Sequence, residues 1–310
     1  MKKIAVQMDH PHQLNPKGDS TIVLLREAQR RGYDLYYYHP TTLRLAHEEV
    51  RGEVRAMLHP MTLHEADMWY QLGAPRIAPL NAMDVILMRQ DPPFDMAYIT
   101  ATYFLDTLPQ EVRVLNHPTA VRNHAEKLLP LRYADAMPPT LITADHQEIL
   151  DFLEKHHDVI LKPLYGWGGH SVLRLRLGGD NVHALLEMLG RTHSLPMIAQ
   201  PFLPEVATHD VRVVLIGGMV AGAFARIPAS GEVRANMRVG GVPVAHQLTP
   251  KQEAYCARLA PDLHALGLYF TGVDFIGDYL TEINVTSPTG LRTLERLYDA
   301  APAVMFWDGI

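Results

Sequence analysis

The sequence predicts an α/β fold in which a parallel sheet at the amino terminus is followed by units of different organisation. The first observation is the order of segments at that end: an apolar strand at Lys3–Met8, a helix at 21–31 with Ser20 as its expected cap, and a strand at Asp34–His39. This order is a βαβ unit, whose strands run parallel with helices on the sheet faces. The second observation is an acidic hairpin at 272–290, which indicates paired strands near the other end of the chain.

Alternation of strand and helix continues through the rest of the amino-terminal part. Strands are predicted at Met83–Arg89 and Val112–Asn116, with an apolar-periodic helix at 96–108 between them. The segment 40–79 alternates too weakly for an assignment.

Polar residues follow the predicted strand at 83–89. Arg89, Asp91 and Asp95 surround two adjacent prolines in the stretch RQDPPFD. Open α/β sheets bind ligands outside the carboxyl ends of their strands, so a binding rim is one interpretation. A plain connection into a proline-started helix is the other, and the sequence leaves both open.

The stretch NHPTA at 116–120 marks the clearest domain boundary. Beyond it, the pattern of apolar residues and breakers predicts a second series of elements. The predicted helices lie at 121–134, 146–157, 181–193, 250–266 and 291–299, and the predicted strands at 158–164, 172–177 and 197–204, with a long strand pair after Arg212 that extends to Arg226.

Composition excludes several classes of function. The chain has 310 residues, which suits two or three domains, and its formal charge of −6 without a basic block gives no attraction to nucleic acid or anionic membranes. Cys256 is the only cysteine, so neither a disulfide framework nor a cysteine-based zinc site is possible. No apolar run is long enough to cross a membrane. A cytoplasmic protein with small-molecule partners is expected, and the seventeen histidines are expected to lie mostly at the surface.

Lys162 lies in the middle of an apolar strand, directly before the glycine-rich loop YGWGGHS at 165–171. A buried cation requires a partner, and glycines allow backbone amides to approach an anion closely. The loop is not a Walker loop, because no GKS or GKT follows it. An ordinary hairpin turn is the alternative, but together with Lys162 the loop favours a cover over phosphate groups.

The hairpin at 272–290 carries the third group of candidate residues. Glu282 and Asn284 are two apart on a strand and therefore point to the same face, where a partner strand can bring Asp274 beside them. Carboxylate and amide oxygens without thiolate or imidazole are typical ligands of Mg²⁺. The alternative is that these residues form the solvent side of an amphipathic strand and its turn. The hydroxyl-rich loop VTSPTG that follows favours a site.

Other candidates are weaker. The strand at 197–204 is compatible with an adenine slot, although any buried strand would look similar. Arg226 ends a run of small apolar residues, a suitable place for a cation that faces phosphate. The polar segment 228–241, which contains Arg234, Asn236 and Arg238, is predicted to be a mobile lid or else a surface loop without function.

Four stretches resemble the ATP-grasp superfamily and, within it, the prokaryotic glutathione synthase family. They are DVILMRQDPPFD at 84–95, VILKPLYGWGG at 159–169, ARIPASGEVRANM at 225–237 and DFIGDYLTEINVTSPTG at 274–290. The resemblance covers nearly the whole chain. It implies an amino-terminal α/β domain at 1–120, a central lid domain at 121–200 and a carboxyl-terminal domain at 201–310, with ATP held between the last two.

The resemblance also implies roles for individual residues. ATP would contact Lys127, Lys162, Tyr165, Gly166, Gly168, Gly169, Gln200, Pro201, Phe202, Leu203 and Asp210. Mg²⁺ or Mn²⁺ would be held by Asp274, Glu282 and Asn284. Arg212, Arg226, Arg234 and Asn236 would serve the phosphates and the acyl phosphate, and Arg89, Asp91, Ser287, Pro288 and Thr289 would border the peptide substrate.

The implied reaction is ATP-dependent ligation of glycine to γ-glutamylcysteine through an acyl phosphate, in a cytoplasmic homotetramer or homodimer. Such chemistry needs positioning and charge neutralisation rather than a nucleophilic side chain. Two alternatives remain. An ATP-grasp ligase for other peptides or amino acids would keep the ATP residues but not the stretches at 89–95 and 286–290. A regulator on the same fold would bind ATP without turnover.

Overall fold

A computed structural model of the chain describes residues 1–46, 53–65, 68–166, 168–169, 171–192, 195–229, 235–237 and 240–310. Within these ranges the strands form three sheets that follow one another along the sequence. Helices and strands are both abundant, which confirms the predicted α/β class. No helix in the described ranges is long and apolar enough to cross a membrane.

The first sheet contains the predicted βαβ unit. Its strands β1, β2, β7 and β8 are parallel, with β1 between β2 and β7. The elements are β1 (Lys3–Gln7), α1 (Ser20–Arg30), β2 (Asp34–Tyr38), β3 (Arg44–Ala46), β4 (Glu53–Leu63), β5 (Tyr70–Leu72), β6 (Arg76–Pro79), β7 (Val85–Met88), α2 (Met96–Asp106) and β8 (Arg113–Leu115). The unassigned segment 40–79 therefore contains an antiparallel extension in which β4 pairs with β2, β3, β5 and β6.

The expected cap of α1 was wrong by one residue. Asp19 is the cap, and its Oδ1 accepts a hydrogen bond from Thr21 N at 2.6 Å. Ser20 is the first helical residue, and its hydroxyl oxygen instead accepts from Gly290 N and Leu291 N at 3.0 and 3.1 Å. This contact ties α1 to the carboxyl-terminal part of the chain.

The second sheet has the strand order β11-β10-β12-β9 and is antiparallel. The elements of this part are α3 (Pro118–Asn123), a 3-10 segment at Leu129–Ala136, β9 (Leu141–Thr143), α4 (His146–His156), β10 (Asp158–Pro163), β11 (Leu173–Arg176), α5 (Val182–Thr192) and β12 (Met197–Pro201). Together these elements carry the glycine-rich loop, which connects β10 to β11.

The helix predicted at 121–134 is not continuous. Helix α3 ends at Asn123, and the 3-10 segment that follows has a kink at Tyr133. In a continuous helix the Glu126 carbonyl would accept from residue 130, but Pro130 has no N–H. That carbonyl accepts instead from Ile283 N at 3.0 Å. A proline and a tertiary contact therefore override the helical pattern.

The third sheet is antiparallel and has the order β15-β14-β13-β16-β17. The elements are β13 (Asp210–Ile216), β14 (Met219–Ile227), β15 (Val242–Ala245), α6 (Pro250–Ala265), β16 (Phe270–Ile276), β17 (Tyr279–Asn284), α7 (Leu291–Tyr298) and α8 (Pro302–Asp308). The predicted acidic hairpin is the pair β16 and β17. Asp210 and Arg212, which were expected before the strand pair, lie inside β13.

Candidate active site

One face of the third sheet carries a row of charged and amide side chains. Strand register explains the row, because Asp210 is opposite Arg226, Arg212 is opposite Asp274, and Asp274 is opposite Glu282. Side chains of directly opposed residues lie on the same face, as do those two apart on one strand. The row comprises Asp210 and Arg212 on β13, Arg226 on β14, Asp274 on β16, and Glu282 and Asn284 on β17.

Asp274 is buried at the centre of this row. Its oxygens accept hydrogen bonds from Arg212 at 2.5 and 2.9 Å and from Asn284 Nδ2 at 3.2 Å, and Arg226 Nη2 lies 3.3 Å from Oδ1. Burial acts to raise the pKa of Asp274, but the Arg212 and Arg226 guanidinium groups outweigh it and lower the pKa to about 2. Asp274 is therefore ionised at neutral pH. Arg226 also donates from Nε to Asp210 at 3.0 Å.

Lys127 connects the third sheet to the glycine-rich loop. Its Nζ lies 2.9 Å from Glu282 Oε1 and also donates to the Gly166 carbonyl. In that loop Gly168 and Gly169 have φ values of 62° and 80°, a left-handed conformation that favours glycine. Because no side chain projects from these positions, backbone amides there can approach a phosphate.

Lys162 points toward the same charged row from β10. Burial is the largest influence on this half-buried side chain and lowers its pKa to about 8, against the opposing effects of Glu282, Asp274 and Asp210. Nearby Lys127 lowers the pKa further. An anionic ligand beside Lys162 would stabilise its charged form.

A cleft of about 940 Å³, including its solvent-open mouth, lies between the second and third sheets. Ten of the predicted nucleotide residues line it: Lys127, Lys162, Gly166, Gly168, Gly169, Gln200, Pro201, Phe202, Leu203 and Asp210. The other wall is formed by the row on the third sheet, including Arg226, Asp274 and Glu282, and by Asn236. We call this the nucleotide cleft.

Tyr165 and Arg234 differ from the other predicted residues. Tyr165 does not line the nucleotide cleft; its ring stacks on Phe94 with centroids 6.4 Å apart and borders a small neighbouring pocket. Arg234 lies outside the described residues, as do residues 230–233 and 238–239 of the predicted lid. Gln200 is partly engaged within the protein, because its Nε2 donates to Thr140 Oγ1 at 2.9 Å.

A second cleft adjoins the first and extends to the amino-terminal sheet. The predicted peptide residues Arg89, Asp91, Ser287, Pro288 and Thr289 all line it. Arg212, Arg226, Glu282, Asn284 and Asn236 line it as well, so the charged row faces both clefts. We call it the peptide cleft.

Arg89 is a buried cation in the wall of the peptide cleft. Its Nε donates to Thr21 Oγ1 at 3.0 Å, and its guanidinium lies over the Phe270 ring at 5.3 Å. Nη1 is buried and has no hydrogen-bond partner among the residues that the structure describes. Burial lowers the pKa of Arg89, although Asp19 and Asp91 oppose the shift. Because Arg89 lines the cleft, a ligand carboxylate there would balance the charge of its guanidinium.

Sequence reasoning missed several charged residues of the peptide cleft. These are Asp9, Lys17, Asp19, Glu126, Arg292 and Arg296. Asp9 could have been found, because it follows the buried strand β1 and the carboxyl ends of parallel strands share one edge of a sheet. Glu126 has only one local signal, its position next to Lys127.

The donor set on β16 and β17 fits a hard cation. Asp274 and Glu282 offer carboxylate oxygens, and Asn284 uses its Nδ2 in hydrogen bonds to Asp274 Oδ2 and Gly272 O, so its amide oxygen remains an acceptor. Oxygen ligands of this kind suit Mg²⁺ or Mn²⁺. Within the described residues, no group of three or more histidine, cysteine or acidic side chains forms a metal cluster, so the clustered histidines do not provide one.

The fold and the site together define the ATP-grasp class, and residues 126–299 match an ATP-grasp domain. The structure is similar to the D-cycloserine synthetase DcsG, with a TM-score of 0.67 and 16% identity over 99% of this chain and 98% of that one. It is also similar to the RiPP-associated ATP-grasp ligase of Chryseobacterium gregarium, with a TM-score of 0.66 and 17% identity over 100% and 98% of the two chains. At these identities the structural similarity establishes the fold alone.

Sequence comparison gives the particular family. Residues 2–122 match the prokaryotic glutathione synthetase N-terminal domain, and residues 126–299 match the ATP-grasp domain of the same family. The glutathione synthetase of Brucella melitensis is 46% identical over 99% of this chain and 98% of that protein. That of Salmonella typhimurium is 39% identical over 100% and 98%. The chain belongs to the prokaryotic glutathione synthetase family, and it is an ATP-dependent carboxylate–amine ligase.

Proposed function

We propose that this chain synthesises glutathione by ligating glycine to the C-terminal carboxylate of γ-glutamylcysteine, with ATP converted to ADP and phosphate. The observation that carries the proposal is that one charged row faces two adjoining clefts. One cleft contains the lysines and glycines suited to a nucleotide, and the other contains Arg89, a buried cation suited to a carboxylate. A phosphoryl group in the first cleft and the reacting end of a dipeptide in the second would therefore meet at this row.

In the proposed complex, the adenine of ATP lies against Gln200–Leu203 and its phosphates extend toward Lys127 and Lys162. The loop with Gly166, Gly168 and Gly169 covers the phosphates, and Tyr165 fixes the loop through its contact with Phe94. The support is that ten of these eleven predicted nucleotide residues share one cleft. Asp210 acts through Arg226, with which it is paired.

The first chemical step is transfer of the γ-phosphoryl group of ATP to the carboxylate oxygen of γ-glutamylcysteine. The oxygen–phosphorus bond forms as the bond to ADP breaks, and an acyl phosphate results. Arg212 and Arg226, with Asn236 and Arg234, neutralise the charge on the transferred group, which is the main demand of phosphoryl transfer. Arg89, Asp91 and Ser287–Thr289 hold the dipeptide so that its carboxylate reaches this group.

The second step joins glycine to the activated carbonyl. The glycine ammonium first releases one proton to solvent to give the free amine. The amine nitrogen then bonds to the carbonyl carbon, the bond to phosphate breaks, and the departing phosphate takes the second proton from the nitrogen to leave the amide. Because water would hydrolyse an acyl phosphate, the site must exclude it, and the segment 228–241 is the proposed lid.

Asp274, Glu282 and Asn284 are the proposed ligands of Mg²⁺ or Mn²⁺. When bound, the ion neutralises phosphate charge and orients the transferred group. In this structure the two carboxylates are paired with protein cations, Glu282 with Lys127 and Asp274 with Arg212 and Arg226, and these cations would serve the phosphates in the proposed complex.

Three further features belong to the proposal. The chain is divided into domains at 1–120, 121–200 and 201–310, a division supported by the three successive sheets. It assembles as a homotetramer or homodimer. It acts in the cytoplasm, without nucleic acid or membrane partners, which is consistent with its single cysteine and its charge of −6.

The test is phosphate release from ATP and Mg²⁺ in the presence of γ-glutamylcysteine, with and without glycine. We expect sustained release only with glycine, at one phosphate for each glutathione formed. If phosphate release with glycine does not depend on γ-glutamylcysteine, or if other dipeptides replace it equally well, the proposed substrate is wrong.

A further inference from the structure

Glu126 is a cleft-lining carboxylate with two differently used oxygens. Its Oε1 accepts three hydrogen bonds, from Val285 N at 2.8 Å, Thr286 N at 3.0 Å and Thr286 Oγ1 at 2.9 Å. No hydrogen bond or ion pair joins Oε2 to any residue that the structure describes, and Oε2 is not among the atoms sealed from solvent. Oε1 therefore fixes the carboxylate in place, while Oε2 is available to a ligand.

The position of Glu126 relates it to the reacting groups. It lines the peptide cleft together with Arg212, Glu282 and Asn284, and it precedes Lys127, whose Nζ is paired with Glu282. Glu126 interacts electrostatically with both of these neighbours, repelled by Glu282 and attracted by Lys127. Burial raises the pKa of Glu126, as does the nearby Glu282 carboxylate, against the hydrogen bonds from Thr286 and Val285 and the charge of Lys127. A ligand cation beside Glu126 would favour its ionised form.

Three other acids of the peptide cleft are associated with Arg89. Asp9 Oδ2 accepts from Asp91 N at 2.8 Å, and Asp19 and Asp91 are the carboxylates that act on the Arg89 guanidinium. An arginine with adjacent acids can bind both charged groups of an amino-acid head, as the glutamyl end of the dipeptide requires. Glu126 is not among the acids that act on Arg89; its charged neighbours are Lys127 and Glu282, which line the nucleotide cleft.

We propose that Glu126 Oε2 binds the ammonium group of the incoming glycine and holds its nitrogen beside the activated carbonyl. This inference rests on the proposed function and adds a substrate-binding residue to it. A charge-assisted hydrogen bond from a primary ammonium suits an oxygen that is fixed through its carboxylate partner. It also relieves the repulsion between Glu126 and Glu282.

The test compares Glu126→Gln with the wild-type enzyme. Glutamine keeps a carbonyl oxygen for the Val285 and Thr286 donors but replaces Oε2 with an NH₂ group that repels an ammonium. We expect KM for glycine to rise by about tenfold to hundredfold, because hydrogen bonds to charged groups contribute that much to binding. KM for ATP and for γ-glutamylcysteine should change by less than about threefold.

Hydroxylamine provides the readout that a structural role would not give. It is uncharged at neutral pH and captures acyl phosphates as hydroxamates, so it does not need the Glu126 charge. Hydroxamate formation from γ-glutamylcysteine should be retained in Glu126→Gln, while glycine ligation falls. If hydroxamate formation falls in parallel with glycine ligation, Glu126 only supports the fold of the site and the proposal is overturned.

Two further arms separate the remaining outcomes. A rise in KM for γ-glutamylcysteine alone, absent with an analogue that lacks the α-amino group, would assign Glu126 to the dipeptide ammonium and overturn the proposal.

Should Glu126→Gln fail to fold, Glu126→Asp keeps the charge but withdraws it by one methylene. A rise in KM for glycine alone in that variant supports the proposal, and an equal rise for all three substrates overturns it. Wild-type enzyme that forms no hydroxamate would instead refute the proposed function.

Discussion

The two joined clefts differ in how their charged side chains are paired. We call the charged row and the nucleotide cleft the nucleotide end, and the part of the peptide cleft around Arg89 the peptide end. At the nucleotide end, each carboxylate of the row has a protein cation beside it: Asp274 has Arg212 and Arg226, Asp210 has Arg226, and Glu282 has Lys127. At the peptide end, Arg89 is buried, but one of its nitrogens has no partner in the described part of the chain. The carboxylates of the nucleotide end are therefore paired within the protein, whereas the Arg89 cation of the peptide end has no carboxylate in direct contact in the described part of the chain.

This difference has energetic consequences. Removing one member of a buried ion pair typically costs about 3–5 kcal/mol, because the other charge stays buried without a partner. A buried cation that already lacks a full set of partners costs free energy in the folded state, so its removal costs little or stabilises the protein. Substitutions at the nucleotide end should therefore affect both folding and turnover, and substitutions at the peptide end should affect binding alone.

The largest effect is expected from Asp274→Asn. The change removes a proposed metal ligand and leaves the Arg212 and Arg226 guanidinium groups facing a neutral amide. Turnover should fall by about a thousandfold, and the free energy of unfolding should fall by about 3 kcal/mol. Steady-state kinetics and urea denaturation measure the two effects.

The matched control is Asp278→Asn in the turn of the same hairpin. Asp278 accepts a hydrogen bond from Thr249 Oγ1 at 2.7 Å and lines neither cleft. The turnover of Asp278→Asn should stay within about twofold of wild type, because the substitution lies away from the site. If Asp274→Asn and this control had the same free energy of unfolding, it would be wrong that the ion pairs of the nucleotide end stabilise the fold.

A smaller effect is expected from Glu282→Gln. Its partner Lys127 keeps the hydrogen bond to the Gly166 carbonyl, so the loss of the ion pair is partly compensated. Turnover should fall by about a hundredfold, which corresponds to about 3 kcal/mol of transition-state stabilisation, while the protein stays folded. Near-normal activity at saturating Mg²⁺ would contradict the assignment of Glu282 as a metal ligand.

Features of the nucleotide end differ among themselves in how far the sequence predicts them. Glu282 and Asn284 were predicted because their signal is local: two polar residues with strand spacing, after a glycine turn. The phosphate loop is similarly local, since Gly168 and Gly169 follow Lys162 within seven residues. In contrast, the pairing of Arg212 with Asp274 depends on the register of strands 62 residues apart. No local pattern contains that register.

The features that the sequence did not predict are explained by prolines within an element or by contacts between residues far apart in the sequence. Strand β4 escaped assignment because Pro60 interrupts it, although the structure accommodates this proline opposite Tyr36. The helix predicted at 121–134 was wrong because Pro130 cannot bond to the Glu126 carbonyl. Glu126 itself was missed because its partners, Val285 and Thr286, are about 160 residues away in the sequence.

The peptide end is tested by Arg89→Met, which replaces the guanidinium with an apolar side chain of similar length. KM for γ-glutamylcysteine should rise by about thirtyfold, because a carboxylate of the dipeptide loses its cationic partner. KM for ATP should be unchanged. Thermal stability should be unchanged or higher, since an incompletely paired buried charge is removed. Arg212→Met is the contrast at the other end and should lower the melting temperature. Equal destabilisation by both changes would remove the distinction between the two ends.

The smallest effect concerns Lys162, a cation at the nucleotide end whose pKa is lowered to about 8 from an ordinary value of 10.5. Between these two pH values the folded protein without nucleotide binds fewer protons than the unfolded chain, so the contribution of this group to the free energy of unfolding rises with pH. ATP binding should have the opposite dependence, because the phosphates favour the charged lysine and must restore its proton.

Raising the pH from 7 to 9 should therefore weaken ATP binding by about tenfold, as expected for one proton taken up by a group of pKa about 8. Titration of the enzyme with ATP and Mg²⁺ at several pH values measures the effect. Lys162→Arg is the control. Because a guanidinium stays charged throughout this pH range, the affinity of this variant for ATP should not vary with pH. An equal decline in both proteins would place the titrating group elsewhere. If the affinity of the wild-type enzyme for ATP did not change with pH, Lys162 would keep its proton without nucleotide. The acids of the charged row would then fully offset the effect of burial on this lysine.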